Sequence, residues 1–327
     1  MARHVLVLSW SYRSREELLV MAHNFAMLLK SYAGDFEYAT RLVESFNRFN
    51  VDHVTLYAVV PESDLELFQK LSSDHVLVLS ENKLASHLVD APVHGMRAGY
   101  INQEIVKLSF WELGLASNYF CVDSDAEFIR NFYISDFMFD ADTPYSVLVE
   151  DHELEVEPAY YAQYWQTRSV EIQHIADLIG WTSPVIRTCH GHTVFSAKVL
   201  KSFVEGFLKP RGWDYRDVLA ESPYEFSWYN IWLQFAHPNG IQAREPWIKV
   251  FHHEGHHLEY LMRGVTITDI ARGYLGIVVN SNYSRDLGVV SASASKPESL
   301  ARYLSYGELV GVLTAKIKDT AARRFKR

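Results

Sequence analysis

Apolar and polar positions follow two rhythms along this chain. In HVLVLSW (4–10), HVTLYAVV (53–60) and HVLVLS (75–80) nearly every residue is apolar over a short run, which predicts strands covered on both faces. Between the first two lies EYATRLVESFNRF (37–49), whose apolar residues recur at helical spacing. Pro61-Glu62-Ser63-Asp64 predicts a further helix start, with Ser63 or Asp64 as its cap. Ile101, Ile105, Leu108, Trp111 and Leu115 predict a helix over 101–116. An apolar run, NYFCV, then ends in Asp123-Ser124-Asp125, and PYSVLVED (144–151) predicts one more strand. Alternation of strands and helices with continuous apolar strands predicts an α/β fold with a mostly parallel sheet covered by helices on both faces. From about residue 155 the pattern becomes longer-helical and richer in aromatics, without a linker or repeat. The expectation is one domain over 1–327: a first half to about 152, a second over 153–290, and a helical basic tail over 291–327.

Composition narrows the classes. With 327 residues and 48% hydrophobic content the chain can bury a large core. A formal charge of −9 argues against a nucleic-acid partner. Two cysteines, Cys121 and Cys189, make no disulfide framework and point to a reducing, cytoplasmic setting. MARHVLVLSW lacks the layout of a signal peptide, and no apolar stretch approaches the ~20 residues of a membrane span. The tail AKIKDTAARRFKR reads as a solvated helix end, with peripheral contact to an anionic membrane surface as the second reading.

Two stretches carry candidate chemistry. FHHEGHHLEY (251–260) contains His253-Glu254-Gly255-His256-His257, formally the H-E-x-x-H of zinc hydrolases. That chemistry needs both histidines on one helix face, and here Gly255 is expected to interrupt the helix after a strand-like PWIKVF. A third ligand is also missing, so an accidental match or a His-rich solvated turn is preferred. The second stretch is Asp123-Ser124-Asp125 at the end of an apolar strand. In open α/β sheets ligands sit outside the carboxyl ends of strands, where two carboxylates can share Mg²⁺ or Mn²⁺ with substrate oxygens. A local Asx turn is the competing reading. No G-x-G-x-x-G follows the first strand and no P-loop occurs, which disfavours dinucleotide and P-loop sites.

Residues 99–130 resemble the D-x-D region of GT-A-fold glycosyltransferases. They are most similar to a poorly characterised, mainly bacterial group with a Q-x-x-x-K-L helix, here Gln103, Lys107 and Leu108, before a Tyr-rich strand with Tyr119 and the D-S-D turn. Gly191-His192-Thr193-Val194-Phe195-Ser196 resembles that group's glycine turn and following strand, and Ser222 to Tyr229 resembles its acceptor-side helix start, with Pro-Tyr-Glu in place of Ser-Glu-Tyr. The resemblance implies a GT-A-like fold, a Rossmann-type mixed sheet flanked by helices, with a donor half and an acceptor half. It implies a metal-dependent, inverting transferase that moves a sugar from a nucleotide-sugar donor to a glycan or lipid-linked glycan, in surface-polysaccharide synthesis. Asp123 and Asp125 would hold Mn²⁺ or Mg²⁺, joined by a late histidine, His253 or else His252. Glu225 would be the general base that takes the acceptor's proton, or else a charge at a helix N-terminus, with Glu150 and Asp151 as fallback bases. Ser9, Trp10 and Tyr12 would meet the nucleoside, and Gln103, Lys107, Gly191 and His192 the rest of the donor, with a solvated helix-face lysine as the equal reading of Lys107. Trp228 and Tyr229 would stack on the acceptor or else belong to the core. The other readings are a non-catalytic nucleotide- or glycan-binding protein and, behind it, a zinc hydrolase using His253, Glu254 and His257.

Overall fold

In the computed structural model the described residues are 24–148, 154–155, 158–188, 190–237, 240–252 and 254–279, with 310, 314 and 317 beyond them. The expected strand 4–10, with Ser9, Trp10 and Tyr12, lies outside them, as do Glu150, Asp151, Cys189 and His253. The first described strand is instead β1, Phe25–Lys30, all six residues of which are buried. Helix α1, Phe36–Phe49, follows, then β2, Thr55–Val60, and β3, Val76–Ser80. Helix α2, Ala98–Ser109, leads to β4, Asn118–Val122, and β5, Ala126–Phe128.

Of the strand expected over 144–151, the described part forms only β6, Tyr145–Ser146. The second half is mainly helical: α3, Pro158–Ile179; α4, Ala197–Phe203; α5, Tyr215–Glu221; and α6, Glu225–Ala236. Strand β7, Val194–Ser196, precedes α4, and β8, Gln242–Ala243, pairs in parallel with β6. Strand β9, Ile248–Phe251, helix α7, Glu254–Met262, and β10, Gly276–Val279, complete the described fold.

The main sheet has the order β3-β2-β1-β4-β7, parallel except for β7 against β4. It is mostly parallel, as the alternation predicts, and mixed and flanked by helices. Side chains alternate across it. Leu28, Tyr119 and Cys121 join one core with α2, α4, α5 and α6, whereas Met27, Leu29, Phe120 and Val122 join the other with α1 and β5. A second sheet has the order β5-β10-β9. Its registers put Ala126, Val278 and Val250 in one row, so the start of β5 and the end of β9 share an edge. Among the described residues no helix is long and apolar enough to cross a membrane.

Candidate active site

Strand order reverses between β1 and β4, and a crevice opens at such a switch point outside the strands' carboxyl ends. Ser31 follows β1 and Asp123-Ser124-Asp125 follows β4, so the D-x-D turn occupies that crevice. The Ser124 hydroxyl donates to the Ser31 hydroxyl at 2.9 Å and ties the two strand ends together. Beside it, Lys30 pairs with Glu81, just after β3, at 2.9 Å.

Which way Asp123 faces follows from the pleat. It continues the parity of Tyr119 and Cys121 and so meets the face covered by α2. There the Lys107 ammonium lies 3.2 Å from Asp123, 3.0 Å from Glu225 and 3.4 Å from Glu104. Helix α2 presents Ile101, Glu104, Ile105 and Leu108 as its buried stripe, so Glu104 holds a position that spacing would assign to an apolar residue. The Tyr119 hydroxyl donates to the Lys107 carbonyl at 2.7 Å and fixes α2 on β4. Glu225 opens α6, whose first turn is clamped by Arg168. That guanidinium lies 3.8 Å from the Tyr224 ring centre, donates to the Ser227 hydroxyl at 3.1 Å and pairs with Glu171 at 3.0 Å.

Of the three carboxylates around Lys107 only Asp123 is open, at 35% side-chain exposure against 4% for Glu104 and 2% for Glu225. Burial raises the Asp123 pKa, but the Lys107 charge outweighs it and holds the carboxyl below its ordinary range. Burial, reinforced by the charge of Glu225, pushes Glu104 well up. Burial works against the Lys107 charge, yet its three acidic neighbours hold it well above the ordinary lysine value.

His192 reaches Asp123 at 3.6 Å from the glycine turn, and burial, opposed by the Asp123 charge, brings its pKa down to about 4. The sign of the linkage is definite. The folded chain keeps His192 neutral, whereas the unfolded chain takes up a proton below the ordinary value of 6.5, so stability is lost as pH falls from 6.5 to about 4. Across that interval the wild type is expected to lose roughly 3 kcal/mol more than a His192→Gln variant. Urea unfolding at both pH values measures the difference, and equal slopes would place the His192 proton elsewhere.

Asp125, half-buried, lines a small cavity with Tyr38, Arg41, Ser124, Glu127 and Ile277, on the side of the turn that faces α1. Across the edge of the second sheet, His252 follows β9 two strands away from the turn, about 10 Å by strand spacing. Its ring packs 6.0 and 5.8 Å from Tyr160 and Tyr164. Among the described residues no three His, Cys, Asp or Glu side chains converge as a metal site.

Other expectations change. Gly255 does not interrupt a helix, because α7 runs from Glu254 through it. A glycine in a first turn loses little, since the amides there lack intrahelical partners anyway. His256 and His257 are 1% and 0% exposed, so this is no solvated turn. Trp228 and Tyr229 are core residues at 0% and 1% exposure and offer no stacking face to an acceptor. Trp228 donates to the Ser222 carbonyl at 3.0 Å, and the Tyr229 hydroxyl accepts from the Ser196 amide at 3.0 Å. A Cβ on Gly191 would meet Phe226 at an ordinary 3.5 Å, so packing does not demand a glycine there. Gln103 sits half-buried on α2. Glu104, Arg168, Ser31 and Arg41 escaped the sequence reading, and Glu104 alone left a signal, an acid within an apolar stripe.

A family model described as "Family of unknown function (DUF6492)" matches residues 19–260. The chain belongs to this family. The match takes in the switch point, the Lys107 cluster and the His-rich helix, and begins after Ser9, Trp10 and Tyr12. Among curated proteins no match to the sequence is found. Among solved structures, mouse xyloside xylosyltransferase 1 in its apo form is similar at 10% identity, over 79% of this chain and 98% of that one, with a TM-score of 0.44. The apo WbbM bifunctional glycosyltransferase is similar at 12% identity, over 86% of this chain and 51% of that one, with a TM-score of 0.46.

Proposed function

We propose that this protein is a metal-dependent glycosyltransferase that moves a sugar from a nucleotide-sugar donor to a hydroxyl of a glycan acceptor. The observation that carries the reading is the D-x-D turn at the switch point, with Asp123 open to the crevice and held below its usual carboxylate range beside Lys107. The donor set suits Mg²⁺ or Mn²⁺: two hard carboxylates on one turn are what such an ion takes when water and phosphate oxygens fill its other positions. When bound, the ion would neutralise charge on the departing diphosphate. Asp123 and Asp125 would hold it, and a late histidine remains the third ligand that the resemblance implies.

The chain's own groups do the rest. Ser31 and Ser124 fix the turn, and the buried cluster orients Asp123 before the donor arrives, which lowers the cost of ordering it. A general base must come within hydrogen-bond reach of the acceptor hydroxyl. Glu225, 2% exposed and engaged by Lys107, lacks that access in the described arrangement.

A thermal-shift panel of UDP-, GDP- and CMP-sugars with and without Mn²⁺ tests the reading. One donor is expected to raise the melting temperature only with the metal, and at ~100 times its dissociation constant to add roughly 2.7 kcal/mol. A panel in which no nucleotide sugar stabilises the protein, with or without Mn²⁺, would overturn it.

A further inference from the structure

We propose that Glu104 and Glu225 are positioning residues that hold the Lys107 ammonium against Asp123 and so fix the one carboxylate that faces the crevice. The proposal rests on the reading of Asp123 as part of a donor site. It assigns Glu225 a role other than the proton acceptor expected from the sequence.

Geometry carries it. The Lys107 ammonium donates to Glu225 at 3.0 Å and has two further carboxylates close by, Asp123 at 3.2 Å and Glu104 at 3.4 Å. They come from three elements: Glu225 from α6, Asp123 from the turn after β4, and Glu104 from α2 itself. A lone pair between a flexible lysine and a carboxylate 35% exposed would fix little, because the side-chain entropy of lysine opposes it. Two acids that are almost fully enclosed remove that freedom, and the ammonium is left pointing at the third. The enclosure also argues against other work for them. At 4% and 2% exposure neither can reach a substrate hydroxyl, and Glu104 sits where its helix needs an apolar residue to cover the sheet. The Arg168 clamp on Tyr224 and Ser227 serves the same end, since it fixes the backbone that carries Glu225.

Consequences for a donor are specific. Nucleoside and first-phosphate contacts would be common to a nucleoside mono- and diphosphate, whereas a metal-bridged second phosphate would register the orientation of Asp123. Calorimetric titration of UDP, UMP, GDP and GMP in the presence of Mn²⁺ therefore probes the wild-type protein and its Glu104→Gln and Glu225→Gln variants. The wild type is expected to prefer the diphosphate of one pair. Each variant should lose about tenfold of that preference, the worth of one close contact to a charged group, while monophosphate affinity stays within about twofold. Should Glu225→Gln fail to fold, Glu225→Asp, which keeps the charge with a shorter reach, should show the same selective loss. Variants that keep the full diphosphate preference would overturn the positioning role and leave the donor site standing. A wild type with no diphosphate preference would overturn both, and would place the failure in the donor-site reading.

Discussion

Lys107→Met is expected to destabilise the folded chain by about 3–5 kcal/mol at neutral pH. Methionine approximates the lysine stem, so little volume is lost and the effect is electrostatic. Removing the ammonium leaves Glu225 and Glu104 enclosed at 2% and 4% exposure with no cation, and strips Asp123 of the charge that holds it below its usual range. Leaving one partner of a buried pair uncompensated costs far more than the pair contributes when intact. The deficit should shrink as pH falls, because Asp123, no longer held below its ordinary range by the ammonium, can then take up a proton. Urea unfolding of the variant at pH 7 and pH 4.5 measures both. A loss under about 1 kcal/mol at pH 7, the worth of an exposed pair, would mean that water reaches the cluster and that it is not the dry junction described.

Asp125→Ala is expected to abolish the Mn²⁺-dependent part of donor stabilisation while leaving the melting temperature of the unliganded protein within a few degrees. Asp125 stands on a turn and no apolar core residue is removed, so no cavity is created in the core. A divalent ion that depends on two carboxylates of one turn loses half of its protein charge with this change. Thermal shift with the donor selected from the panel reads both quantities in one experiment. An increment from Mn²⁺ that survives in the variant would remove Asp125 from the site.

The sequence made much of this legible and hid the rest for physical reasons. Strands β2 and β3 and helix α1 lie close to where periodicity places them, because their buried positions follow that periodicity. The central strand β1 was missed. Its residues, FAMLLK, favour helix by propensity, and position at the middle of the sheet overrides that preference. The D-x-D turn was legible because an apolar run ending in two acids is conspicuous. Lys107 and Glu225 were named there too, but their contact was hidden, since they are 118 positions apart and only the packing of α6 against α2 brings them together. Trp228 and Tyr229 illustrate the opposite error. Aromatics beside an acid suggest a binding platform, yet three-dimensional packing turned both inward. Gly255 shows how a weak rule fails locally: a glycine that would break a helix interior is harmless in a first turn.

The central claim is that Asp123 and its turn serve sugar transfer from a nucleotide donor. It is tested most directly by following the donor chosen by the panel, by mass spectrometry, with the wild-type protein in Mn²⁺ or EDTA and with Asp123→Asn in Mn²⁺. With water standing in for the acceptor, the account predicts that the wild type in Mn²⁺ releases the nucleoside phosphate and the free sugar in equal amounts, and that neither appears in EDTA or with the variant. Release that proceeds equally in EDTA, or equally with Asp123→Asn, would contradict it.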